Sequence, residues 1–422
     1  MQSFILKGTI CYSVSPKELA VHENGYAVCV DGVSRGVFSE IPAEFTHLTV
    51  LDYGDNLIVP GMVDLHIHAP QYTFRGTGMD LELMQWLQQQ AFPEETRFEN
   101  QEYAEKAYTI FAQQLKQSAT TRAVVFGTRH APATEILMEK LERTGLVTFV
   151  GKVNMDRDAP EPLVEESPAA SAEATQQWLK RTVGKFERTK PILTPRFIPT
   201  CSKELLEALG QIKREGNLPL QSHLSENRAE IAYVRQLFPE EISYGHCYER
   251  FGLLGANTIM AHCVYSSDQE VELLKQRGVF IAHCPASNTH IASGIAPIRS
   301  YLDRGLRVGL GSDVAGGQTE SIFRAITDAI QMSNLYWRLV DGRCKPLRFA
   351  ESFYLATLGG GAFFGKVGSF APGYEFDALV LDESDMPRWG EKTPQQRLEQ
   401  YAYLEKGSQS LQAKFVAGEK IL

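Results

Sequence analysis

The 422-residue chain predicts an α/β protein: a (β/α)8 TIM-like barrel over residues 61–364, with a small β-sandwich domain formed by the N- and C-terminal segments, residues 1–60 and 365–422. Three observations predict it. From Gly61 to about Phe364, short apolar runs alternate with long helical patterns, the texture of repeated βα units. Eight of those runs are candidate strands, the number that closes such a barrel. Both ends of the chain are instead rich in β-branched and aromatic runs, and neither end alone offers a sheet with a covered face.

Within residues 1–60 the runs SFILKGTICYS, GYAVCVDG, VSRGVFSEI and LTVLDYGDNLIVP are separated by Gly, Asp and Asn turns and read as a small antiparallel unit. The barrel strands in order are MVDLHI, RAVVFG, LVTFVGK, ILTPRF, LPLQSH, TIMAHC, VFIAHC and LRVGLGSD. Between them YAEKAYTIFAQQLKQSA, ATEILMEKLERTG, SKELLEALGQIKREG and DQEVELLKQRG place apolar residues at helical spacing. After Phe364, VGSFAPGYEFDALVLDES and SLQAKFVAGEKIL return to β texture and are expected to complete the N-terminal unit.

With 43% hydrophobic and 22% charged residues the chain can bury a large core, which excludes disordered and fibrous classes. A net charge of -9 without a basic run excludes phosphate-backbone recognition and favours a small, neutral partner over nucleic acid. The opening MQSFILKGTICYSVSP lacks a signal-peptide apolar core, and no window reaches the roughly 20 apolar residues of a membrane span. A cytoplasmic protein with no membrane partner is expected. The seven cysteines contain no Cys-x-x-Cys pair, so reduced thiols are expected rather than disulfides or a cysteine zinc site.

Chemistry-bearing residues in such a barrel sit at the C-terminal ends of strands. His66 and His68 close the first strand, His223 the fifth, His262 the sixth, His283 the seventh and Asp313 the eighth. Alternation along a strand sends His66 and His68 out on one face. A lone histidine of this kind is commonly a core residue; a joint pattern at four strand ends is not. Neutral imidazoles with one carboxylate suit a borderline divalent ion, zinc first, and the remaining position would hold a water made acidic enough to react at neutral pH. Glu226, three residues beyond His223 in QSHLSE, is placed to act as the general acid and base.

The landmarks PGMVDLHIH, QSHLSE, MAHC, AHCPASN and GLGSDVAGG together resemble the amidohydrolase superfamily of metal-dependent hydrolases and deaminases, over nearly the whole chain. Within it, HIHAPQYTFRGTGMDLELMQWLQQQAFPEETRF, LTPRFIPTCS and GLGSDVAGG resemble the branch that deaminates guanine. That resemblance implies one zinc ion per subunit on His66, His68, His223, His262 and Asp313, with Glu226 as proton shuttle and Asp313 as ligand and base. Relatives with two metals bridge them through a modified lysine on strand four; ILTPRF has none. His283 is implied to be a hydrogen-bonding neighbour rather than a ligand. A homodimer is also implied.

Free guanine is then the expected substrate, with water as co-substrate. Its adjacent O6 and N7 acceptors match an arginine fork, which points to Arg196 at the end of strand four, beside Phe197. Gln71, three residues beyond His68, offers a donor and an acceptor to the same edge. Phe74, Trp86 and Phe92 are candidates for stacking on the base, Phe98 a weaker one. The proline in Phe197-Ile198-Pro199-Thr200-Cys201 departs from the pattern and leaves open another amino-heterocycle, such as a pterin, a triazine or an adenine derivative.

Overall fold

The computed structural model of the chain describes residues 2–386, 390–404 and 411–422. Ser410, the first residue of the run expected to end the chain in β structure, lies outside them. Both ends contribute to one seven-stranded sheet. β1 (Phe4–Ser15), β2 (Glu18–Val30), β3 (Val33–Phe38) and β4 (Thr49–Pro60) come from the N-terminal segment.

The central strands follow as β5 (Met62–His68), β6 (Thr120–Phe126), β7 (Val147–Gly151), β8 (Val153–Asn154), β9 (Thr189–Pro191), β10 (Thr194–Pro195), β11 (Leu220–Leu224), β12 (Thr258–His262), β13 (Phe280–His283) and β14 (Arg307–Leu310). β15 (Ala378–Leu381), β16 (Leu411–Val416) and β17 (Glu419–Lys420) return to the first sheet, whose order is β17-β16-β15-β4-β1-β2-β3.

Its pairing corrects one expectation. The N-terminal strands are not wholly antiparallel: β1 pairs parallel with β4, because the chain crosses over after β3 instead of turning straight back. Phe4, Phe370, Phe376 and Phe415 cover one face of this sheet with their rings. Two buried cations tie it to the remainder of the chain. Arg122 on β6 donates from Nε to Asp377 at 2.7 Å and from Nη2 to Glu375 at 2.9 Å. Lys414 on β16 is fully buried and donates to the Lys116 and Ser118 carbonyls, both at 2.9 Å, at the end of the helix Gln101–Gln117. Those carbonyls have no intrahelical partner, and a cation there also suits the negative end of the helix.

All eight strands expected over residues 61–364 are found, in parallel sheets of order β5-β6-β7-β9 and β11-β12-β13-β14 with a two-stranded β10-β8 piece. Strand four is the broken one. Pro191 and Pro195 lack the N–H that would continue a ladder, and the run splits into β9 and β10. Helices run between the strands as the periodicity predicts, for instance Ala131–Glu142, Lys203–Gly216 and Asp268–Arg277. Their ends are set locally: the Ser202 and Ser267 hydroxyls accept the N–H groups of Leu205 and Glu270, and Gly278 closes the last helix in the left-handed region. Fully buried Val63, Leu65, Val124, Ile192, Ile259 and Ala282 pack inside the strand array. Among the described residues no helix is long and apolar enough to cross a membrane.

A candidate metal centre and active site

β5 delivers His66 and His68 together, as strand alternation requires, and β11, β12 and the turn after β14 bring His223, His262 and Asp313 to the same place. His68 Nε2 lies 3.2 Å from both His66 Nε2 and His223 Nε2. Asp313 Oδ1 is 3.1 Å from His66 Nε2 and 3.5 Å from His68 Nε2, while its Oδ2 is 3.7 Å from His262 Nε2. Of these donors only His223 has more than slight exposure.

The hydrogen bonds behind the rings decide what the front presents. His223 Nδ1 is 2.6 Å from the Arg196 carbonyl, which can only accept, so Nδ1 carries the proton and Nε2 keeps a lone pair. His262 Nδ1 is fixed in the same sense by Asn288 Oδ1 at 2.9 Å. A single N–H on His68 could serve only one of its two neighbouring nitrogens. Protons therefore cannot satisfy the cluster pairwise, whereas one cation can accept all the lone pairs, and this donor set fits a divalent ion. Cys284 Sγ also lies within 4.8 Å of donor atoms of His66, His262 and Asp313, but its thiol donates to the Ala282 carbonyl and burial pushes it well up, which makes it a poor ligand.

Electrostatics divide the groups. Burial lowers the affinity of His66, His68 and His223 for protons and keeps them neutral, as ligands must be. Burial opposes ionisation of Asp313, but the surrounding imidazoles of His66, His262 and His68 outweigh it and hold the carboxyl well below its usual range. Glu226 is pushed up by burial, the condition of a group that must take and return a proton. One of its oxygens lies 3.4 Å from His262 Nε2.

The backbone is strained at this spot. Ser225, His262, Cys263 and Asp313 all have positive φ, between 46° and 73°, in the region side-chain-bearing residues avoid. Gly311 is required because a Cβ there would lie 2.9 Å from both His66 Cβ and Cys284 Sγ. Asp64, which the sequence reading passed over, holds the two edges together: it accepts from the His66 and Ser312 N–H groups at 3.1 Å each and from the Ser312 hydroxyl. Its burial pushes the carboxyl up to about 7. The signal for it was an acid inside an otherwise apolar strand.

Above the donors is a narrow cleft that His68, Gln71, Arg196, Phe197, His223, Glu226, His262 and Asp313 line. Leu83, Trp86, Leu87 and Ile291 supply its apolar wall. Of the aromatics singled out from sequence, Trp86 is on that wall. Phe74 packs against Trp86, Phe92 lies under the Arg196 guanidinium at 5.1 Å, and Phe98 is core against Tyr108. His283 is buried beside the donors, and its Nδ1 has no hydrogen-bond partner among the described residues. Glu95 and Ser293, neither foreseen, bond to residues of the cleft: Glu95 to Arg196 and Gln71, Ser293 to Glu226.

Residues 57–418 match the amidohydrolase family. The chain is 38% identical to the guanine deaminase of Dictyostelium discoideum over 399 residues, 90% of this chain and 88% of that protein. Identity to the guanine deaminase of Mus musculus is 40% over 337 residues, 78% of this chain and 74% of that one. The crystal structure of guanine deaminase from C. acetobutylicum with guanine bound in the active site has a TM-score of 0.96 and 40% identity, and each chain covers 100% of the other. Because the match runs from within β4, ahead of the strand carrying His66 and His68, to just beyond β16, the chain belongs to the amidohydrolase family.

Proposed function

We infer that the chain catalyses the hydrolytic deamination of guanine to xanthine and ammonia. The observation that carries this is one buried cleft in which a convergent His/Asp donor set, a carboxyl pushed up by burial and an arginine–glutamine pair lie together. Similarity to guanine deaminases along most of the chain supports the same reading. His66, His68, His223, His262 and Asp313 would hold one zinc ion per subunit, and the chemistry it supplies when bound is the acidification of a water to the neutral range. Glu226 takes a proton from the attacking water at its carboxylate and delivers it to ring N3, which makes C2 more electrophilic. Asp313 helps return a proton to the departing amine. Arg196 and Gln71 hold the O6 edge, with Phe197 beside them, so that C2 faces the donors.

The finer fold reading is a (β/α)8 barrel over residues 61–364, flanked by a composite β-sandwich domain from residues 1–60 and 365–422. Backbone hydrogen bonds support the ring: Asp313 N–H to the His66 carbonyl at 2.8 Å joins the last strand to the first, and Gln221 N–H to the Leu193 carbonyl at 2.9 Å joins the fourth to the fifth. A cytoplasmic homodimer completes the proposal, and sedimentation of the purified protein reads its state. The function is tested with zinc-loaded protein and guanine, adenine and a pterin in parallel, following ring absorbance and ammonia. Release of ammonia from another heterocycle but not from guanine removes the reading.

A further inference from the structure

Arg196 and Gln71 are not free to turn. Glu95, on the helix Phe92–Thr96 and only 2% exposed, accepts from Arg196 Nη1 at 2.5 Å and Nη2 at 3.0 Å, and from Gln71 Nε2 at 2.8 Å. On the other side of the same amide, Gln71 Oε1 accepts the Ala315 N–H at 3.2 Å. Turning the amide over would set its oxygen against a carboxylate and its NH2 against an N–H, so the orientation is fixed by its partners. What Glu95 leaves unused follows from the inventory of donors: one N–H on Gln71, and on Arg196 the Nε–H with one N–H on each terminal nitrogen. The Glu95 carboxylate also cancels the Arg196 charge, which suits a neutral base over an anionic ligand.

We propose that Glu95 is a positioning and specificity-determining residue, which holds the Arg196 fork in place and locks Gln71 as an N–H donor, so that the cleft accepts a purine with an oxo group at position 6 and rejects one with an amino group there. This rests on the purine-deaminating reading above. An amino group at position 6 would bring N–H groups against fixed N–H groups, leaving buried donors unpaired. A site built to hydrogen-bond one group rejects the analogue that cannot pair more strongly than a shape mismatch would. Without the carboxylate only the Ala315 N–H holds the Gln71 amide, its oxygen can turn toward the cleft, and the discrimination falls.

The test compares wild type with Glu95→Gln and Glu95→Asp, using guanine and 2,6-diaminopurine as substrates. Glutamine keeps the shape but removes the charge and sets an NH2 against an N–H that one carboxylate oxygen now accepts, and aspartate keeps the charge but is one methylene too short to span both partners. Both variants are expected to raise KM for guanine by about 10- to 100-fold with kcat changed less, and to cut the guanine to 2,6-diaminopurine ratio of kcat/KM at least tenfold, on the order of one lost charge-assisted hydrogen bond. Zinc content and thermal unfolding separate this from general damage. An unchanged KM and ratio in a folded variant overturns the inference while leaving guanine deamination standing; wild type inactive on guanine removes the underlying reading instead. Should neither variant fold, competition on the wild type decides: hypoxanthine must inhibit at least about tenfold better than adenine, and equal inhibition overturns the lock.

Discussion

The Ser293 hydroxyl donates to one oxygen of Glu226 at 2.9 Å, while the other oxygen of that carboxyl faces His262 Nε2 at 3.4 Å. The proposed shuttle is thus held from behind, with its outward oxygen kept beside the donor set. Glu226→Gln preserves the shape and removes the proton traffic, so kcat is expected to fall by about 10²- to 10⁴-fold with KM little changed. Ser293→Ala leaves the carboxyl in place but unsteadied, and kcat is expected to fall by only about tenfold or less. Steady-state kinetics on both decide it; retained turnover in Glu226→Gln contradicts the shuttle role.

A second expectation concerns the ion. The Nε2 lone pairs of His66, His68 and His223 crowd one another, and filling that space with a cation stabilises the native state by mass action, about 4 kcal/mol at a thousand times Kd. Dialysis against a chelator is expected to abolish ammonia release and lower the unfolding temperature. About one equivalent of zinc per chain should restore both. Full activity in protein shown to be metal-free sinks the assignment.

The candidate metal donors were legible because strand ends advertise themselves: an apolar run that closes on histidine can be read without knowing the fold, and four such endings, with Asp313 closing a fifth run, name one rim. Arg196 and Gln71 were legible only through the chemistry of the base they would meet. Glu95 was not. Its segment FPEETRF carries two adjacent acids, and nothing in the spacing tells that Glu95 turns inward to Arg196, 101 positions away, while Glu94 bonds Tyr103 and Arg97. Ser293 was hidden for the same reason, since a serine in a loop carries no periodic signal. The parallel β1–β4 pairing was missed because strand texture fixes neither partner nor direction.

Arg122 and Asp377 make the seam between the terminal sheet and the central strands, and both are almost fully buried. Breaking this pair from the Asp377 side leaves the buried Arg122 charge with only the partly exposed Glu375. Asp377→Asn is expected to lower the unfolding free energy by about 3–5 kcal/mol, and a double Arg122→Met, Asp377→Leu variant to recover much of that loss. Urea unfolding measures both. A double variant that is the less stable by the sum of the two single losses argues against the seam as the cause.

His130 predicts a pH dependence. It stands just before the helix Ala131–Glu142, where the positive end of the helix faces it, and its Nε2 has no hydrogen-bond partner among the described residues. Burial first, then the charges of Arg129 and Lys152, push its imidazole down to about 4. The unfolded chain takes up a proton near the ordinary histidine value of about 6.5, while the folded chain waits until about 4. Between those values the unfolded state holds more protons, so stability is intact above the upper one and declines as pH falls through the window. His130→Gln removes this titration and leaves every other histidine in place, so the metal-site imidazoles cancel in the comparison. The urea midpoint of the wild type is expected to drop further than that of the variant between pH 7.5 and pH 5, two settings chosen to bracket the ordinary histidine value of about 6.5. If the two proteins lose stability in parallel over that interval, His130 is not the group responsible.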